Sequence, residues 1–301
     1  MIGLIRAELL KARRRQATYV LLIVALVITA LIYLVIGRSI GGLACQLGDF
    51  LGSGECIVEF PGAYALIDQF AFATLGGVLA IVYAAALVGS DWNWGVVRNV
   101  IARGEGRSRY LLAKAAGLAI VLGVGVLIVF FFALLMTYVA AAVNGIPVGN
   151  PLRGHGVEDL LSNLALGYPV VLERAALGFA VAVVLRSQLA GAVVGIVLYL
   201  GEGILTTFLT ISGFVRNAPD VFGSSGDLKI VGPEWFQYLP MTVGNQVLSS
   251  APGVGSSPGT GGVEGLFLRP VPLEQALPAL LIYLIVAVAV AIVALNRQEI
   301  T

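Results

Sequence analysis

The sequence predicts an all-helical membrane protein. It should have six spans, cytoplasmic N- and C-termini, an N-terminal interfacial helix and a short cytoplasmic helix between spans two and three. Three observations predict this. First, the 301 residues are 58% hydrophobic and 12% charged, with a mean hydropathy of +0.96; a soluble domain carries about twice that charged fraction. Second, apolar runs near the roughly 20-residue spanning length recur along the chain. Third, the cations are unevenly placed. Twelve of the 18 Lys and Arg residues fall in the N-terminal segment, the loop after span two, the turn after span four and the C-terminal end. Five fall in the intervening loops, and Arg174 lies within a span. Cytoplasmic loops are enriched in Lys and Arg, so both termini are placed inside, at the cytoplasmic membrane. A net charge of +1 implies no general attraction to nucleic acid. Residues 1–301 read as one domain.

Residues 1–16 form the interfacial helix. Ile2, Ile5, Leu9 and Ala12 make an apolar stripe flanked by Arg6 and Arg13, and Lys11, Arg13, Arg14 and Arg15 suit an anionic leaflet. The same cations would also serve as a plain topology signal. Span one is 17–36, about 30 Å as a helix. Its apolar core is longer than that of a signal peptide, so it is expected to be retained. The loop after it holds the only cysteines, Cys45 and Cys56. Outside the cell they would form a disulfide contributing about 3 kcal/mol by loop closure, or remain two free thiols.

Span two is 63–89, with Asp68 near its outer end, and span three is 115–143. Span four, 158–185, is expected to be broken by Pro169. Arg186, Ser187 and Gln188 make a tight inner turn into span five, 189–211. The outer segment 212–276 is rich in Gly, Pro and Ser, and only Pro233 to Leu248 reads as ordered. Span six is 277–295.

The loop 90–109 is a charged island between two apolar runs. Ser90 or Asp91 is positioned to cap a short helix. On that helix Trp92, Trp94, Val96, Val97, Val100 and Ile101 share one broad side, with Gly95, Arg98, Asn99 and Arg103 opposite. Gly104 supplies the stop, Gly106 a second break, and Ser108 a cap for the next helix. Such a helix suits a membrane surface and a soluble partner; an ordinary basic loop that only sets topology fits the pattern equally.

Glu173, Arg174 and Glu202 fall inside apolar spans, where charge is costly and is commonly functional or paired. Counted from the inner turn, Arg174 and Glu202 lie about 18 and 21 Å deep. That places an Arg174–Glu202 pair between spans four and five, with Glu173 toward a cavity or a dimer seam. The pair would either serve translocation or fix packing. Gly191 and Gly195 form a small-residue step for close helix contact, within one subunit or across a dimer. The sole histidine, His155, leaves no multi-histidine metal site. Gly255 to Gly259 spells a nucleophile elbow, but without the strand-to-helix context that the chemistry needs.

The central island resembles the signature loop of ATP-binding-cassette type-two exporter permeases. That family carries an acidic residue, a helix with a Gly-Thr-x-Arg-like step, an Arg near the loop end and a Lys opening span three. The matching residues are Asp91, Trp94, Gly95, Arg98, Arg103, Gly104, Arg109 and Lys114. Asp91 stands where Glu is more frequent, and Val96 follows Gly95 where Thr is usual. Glu8 to Lys11, the six-span layout and Arg297 extend the likeness over most of the chain. The resemblance implies a permease subunit with a second copy beside it and two cytoplasmic ATPase subunits below. Its loop would be the coupling helix, anchored by Trp92, Trp94 and Val96, with Arg98 and Arg103 toward the ATPase. The three lysines, Lys11, Lys114 and Lys229, each follow Leu or Ala, so the sequence has no Gly-Lys-Ser/Thr phosphate loop. ATP and Mg are therefore expected in the partner, with no cofactor, metal or catalytic residue in this chain. Membrane lipid is the other expected contact, and mostly apolar spans suit a hydrophobic or amphipathic substrate. The alternatives are an ion- or proton-coupled secondary transporter using Glu173 or Glu202, and an intramembrane enzyme.

Overall fold

The computed structural model describes residues 2–50, 63–104, 106–145, 156–221, 234–251 and 271–297, with backbone alone at 36–50, 65, 98, 144, 210–221 and 234. Among these residues all regular structure is helical. Six helices are long and apolar enough to cross a membrane: Gln16–Val35, Asp68–Asn93, Arg107–Val143, Gly156–Leu185, Gln188–Leu209 and Leu273–Arg297. The chain is a multi-pass helical membrane protein of the expected span number.

Helix α1 (Ile2–Arg14) breaks at Arg15 before α2 (Gln16–Phe50). The Thr18 hydroxyl donates to the Ala12 carbonyl at 3.0 Å and helps fix that corner. Span two has three parts: α3 (Ala63–Ile67), a π-helical turn (Asp68–Thr74) and α4 (Leu75–Asn93). A short helix α5 (Val96–Ala102) precedes α6 (Arg107–Asn144). Helix α7 (Gly156–Leu185) runs through Pro169 without interruption, which corrects the expected break. Arg186 takes a positive φ of 53° that ends α7, and α8 (Gln188–Val221) starts at once. A 3-10 turn (Glu234–Tyr238), α9 (Pro240–Ser249) and α10 (Leu273–Arg297) complete the described chain.

Helix α7 is the hub. It packs most closely on α4 and also on α8, α9 and α10, while α2 lies on α6. Lipid is as apolar as a leucine side chain, so close packing and polar contacts hold such helices together, not burial from water. Small residues make the close contacts. A Cβ added at Gly178 would sit 2.5 Å from the Ile81 carbonyl oxygen, and one at Gly191 would sit 2.6 Å from Ala182 Cα. Gly191 and Gly195 thus pack within this chain, against α7 and α4. Phe72 of the π turn stacks on Phe130 of α6 with ring centroids 5.8 Å apart.

Helix α9, within the segment 212–276, packs back onto α7 and α10. Glu202, on α8, accepts hydrogen bonds from the Met241 and Thr242 amides at 2.8 and 2.9 Å and from the Thr242 hydroxyl at 3.3 Å. A carboxylate there satisfies free N–H groups and meets the positive end of the helix dipole. Glu202→Ala is expected to loosen α9 by about 1–2 kcal/mol. Hydrogen exchange should then show faster exchange at Met241 and Thr242; unchanged protection would refute the capping role.

Candidate functional site

The cytoplasmic-facing end of the sequence-predicted topology carries a buried ionic cluster. Its centre is Asp91, near the end of α4 and only 1% exposed. Lys11 and Lys114 donate to its two carboxylate oxygens, Arg15 Nη2 lies 3.2 Å from Oδ1, and the Tyr110 hydroxyl donates to Oδ2. Lys114, also 1% exposed, reaches Glu8 Oε2 at 3.3 Å. Three cations and two carboxylates therefore join α1, the α1–α2 corner, α4 and α6. Each buried charge has an opposite partner, which is the condition for holding it out of water.

Asp91 does not cap the short helix, as the sequence suggested. Span two continues as helix to Asn93, and the break comes at Trp94 and Gly95. Gly95 has φ 65°, a left-handed conformation that suits glycine because it has no Cβ. Gly104, with φ 85°, ends the α5 segment as expected. The expected cap at Ser108 is also corrected, since α6 begins at Arg107 after Gly106.

Helix α5 is seated by one side. Val97 is buried, and Val100 and Ile101 pack on the same core. Trp92 is partly buried, with the Arg186 guanidinium 5.7 Å from its ring centroid, so α4 also touches the α7–α8 turn. Trp94 corrects the expected anchoring role: it is 73% exposed and projects away. Arg103 and Arg109 are exposed, and the Arg98 side chain lies outside the described residues. Arg107 donates to the Leu295 and Asn296 carbonyls at 3.4 and 3.2 Å, which ties the start of α6 to the end of α10. Trp94, Asn99, Arg103 and Arg109 are thus each exposed, beside span ends that the Asp91 cluster and Arg107 tie together.

The intramembrane charges form a second polar group with a different task. Arg174 is completely buried. It donates from Nη1 to the Phe72 carbonyl at 2.8 Å and to the Ala73 carbonyl, and from Nη2 to Asn245 Oδ1 at 2.8 Å. Tyr199 lies beneath its guanidinium at 5.4 Å and donates its hydroxyl to Ala73 as well. Gly77 leaves the passage: a Cβ there would stand 2.7 Å from Arg174 Cδ. The direct Arg174–Glu202 pair is not formed, because backbone carbonyls of the π turn take the guanidinium and α9 takes the carboxylate. Glu173 is 4% exposed, and its Oε2 has no hydrogen-bond donor. Asp68, 2% exposed, has no donor on either carboxylate oxygen.

Sequence reasoning missed the Asp91 cluster itself, with Glu8, Lys11, Arg15, Tyr110 and Lys114 as its members, and it missed Asn245 and Tyr199 as partners of Arg174. A usable signal existed for Arg15: it is the last of several cations before an apolar run, facing an island with few carboxylates. Tyr110 and Asn245 carried none. Cys56, the Cys45 side chain and His155 lie outside the described residues. Among the described residues no group of three or more metal-ligating side chains occurs. Compared with known proteins, the chain matches no family model and no curated sequence.

Proposed function

We propose that the chain is the non-catalytic permease subunit of an ATP-driven exporter in the cytoplasmic membrane. It pairs with a second permease copy, and a separate cytoplasmic ATPase supplies ATP, Mg and hydrolysis. The cargo is hydrophobic or amphipathic. The observation that carries this reading is the Asp91 cluster, which ties α1, the α1–α2 corner, α4 and α6 together at the end of α4, just before the turn that leads into α5. A push on α5 through Trp94 would reach the spans as a rigid displacement, because packed helices and satisfied ion pairs do not deform smoothly. Asp91 and Lys114 act here as internal positioning residues, and Trp94, Arg103 and Arg109 as the surface offered to the ATPase. The lack of a phosphate loop in the sequence gives the chain a need for that partner.

Affinity purification of the tagged chain from its native membrane is expected to retain a P-loop ATPase. Trp94→Ala should reduce that retention at least about tenfold, the effect of losing an exposed aromatic hot spot. Equal retention by the variant would remove the role given to α5.

A second reading, ion- or proton-coupled transport, draws on Asp68 and Glu173, two buried carboxylates with oxygens lacking donors. Transport by the purified chain alone, driven by an ion gradient, would favour it over the first.

A further inference from the structure

Between α2, α4 and α6 runs a lateral groove of about 350 Å³, a volume within the range of small-molecule sites. Its floor is buried (Ala71, Ala80, Val126 and Val171), while Tyr19, Val124 and Ile128 on its rim are exposed. It is therefore open sideways toward the bilayer. Along α6 it extends from Ile120 to Val129, about 14 Å at the helical rise. That is close to half the roughly 30 Å hydrocarbon thickness, the depth of one leaflet.

The two ends differ in chemistry. Arg13, Thr18 and Tyr83 line one end, where the Thr18 and Tyr83 hydroxyls meet at 3.4 Å. Ala25, Leu75 and Val129 line the other. Arg13 is exposed and, unlike Lys11 and Arg15, makes no ion pair among the described residues. Arg6, seven residues earlier on the same helix face, is exposed too. Gly125 contributes to the wall, and a Cβ placed there meets nothing within 4 Å.

The geometry points to a site for one anionic phospholipid of the leaflet in which α1 lies: an acyl chain fills the groove and the headgroup phosphate sits at Arg13. Lipid tails gain little by leaving other tails for an apolar wall, so the tail position is set by shape and the choice of lipid by the cation. The bound lipid would pack under α1, next to the residues that hold Asp91. This inference does not depend on an ATPase partner, and its test leaves that partner out.

The full chain, purified in mild detergent and relipidated, is examined by native mass spectrometry with phosphatidylglycerol and with phosphatidylcholine of identical chains. The wild type is expected to retain phosphatidylglycerol in preference. Arg13→Gln should lower that retention about fivefold, the weight of one lipid-facing cation, with little change for phosphatidylcholine. Gly125→Phe, which fills the groove, should lower retention of both lipids. Gly201→Phe, at an open position on α8 away from the groove, should change neither. Unfolding temperature and elution profile serve as the check that each variant is folded. Equal retention of the two lipids by the wild type overturns the headgroup assignment. Undiminished phosphatidylglycerol in Gly125→Phe overturns the groove, and reduces the contact to adsorption on α1.

Discussion

Asp91→Asn is expected to destabilise the protein by about 3–5 kcal/mol, the cost of breaking a buried ion pair from one side. The substitution keeps the side-chain shape and removes the charge. Lys114 then stays 1% exposed with only Glu8 as counter-charge, while Lys11 and Arg15 lose their buried counter-charge and Lys11 keeps only Glu8 at 4.0 Å. Lys11 and Arg15 are partly exposed and can turn to water; Lys114 cannot. The loss should therefore come mainly from Lys114. Asp91→Asn combined with Lys114→Met should recover part of it, because a paired buried charge is worth little more than an apolar replacement. Unfolding followed by tryptophan fluorescence is well suited, since the partly buried Trp92 adjoins Asp91. A single variant as stable as wild type, or a double variant additive with the two singles, would refute the central place given to Asp91.

Arg174→Met is expected to cost about 2–4 kcal/mol by a different route. The guanidinium serves carbonyls of the π turn and the Asn245 side chain of α9. Tyr199 still donates to the Ala73 carbonyl in the variant, but the Phe72 carbonyl loses its side-chain donor, a penalty of about 1–3 kcal/mol. The link between α7 and α9 goes with it. Arg174→Lys should rescue little, because a compact ammonium cannot span the acceptors that a planar fork reaches together. The readout that separates packing from transport is the relation between stability and activity. If Arg174 holds the fold, folded Arg174→Met protein at low temperature should keep most of its activity. Wild-type stability with activity abolished would make Arg174 part of the translocation path instead.

The spans were legible in the sequence because membrane crossing leaves a one-dimensional signal: long apolar runs bounded by charge. The tight turn at Arg186, the stop at Gly104 and the ordered piece within Pro233 to Leu248 were legible for a similar reason, since each is set by local chemistry. What was not legible depends on contacts between distant residues. The sequence placed Arg174 and Glu202 at matching depths, yet depth does not reveal that a π turn presents carbonyls at that level, or that α9 folds inward to meet Glu202. Pro169 suggested a break, but in a bilayer the lost hydrogen bond can be tolerated within a packed helix. Asp91 stands out in the sequence, but its task does not. A carboxylate before a short helix is a natural cap, and only the return of α1 across α4 and α6 makes it an ion-pair centre. By sequence Trp94 shares a side with apolar residues, which predicts an anchor. The turn at Gly95 swings it out.

The proposal that α5 is the contact for a separate ATPase is tested most directly by placing a photo-activatable cross-linking residue at position 94 in the full chain in cells. Irradiation should yield a covalent adduct with a P-loop ATPase, and the same residue at Ile128, on the groove rim, should yield none. Adducts at 94 with lipid alone, or with no ATPase while the protein remains active, would contradict it.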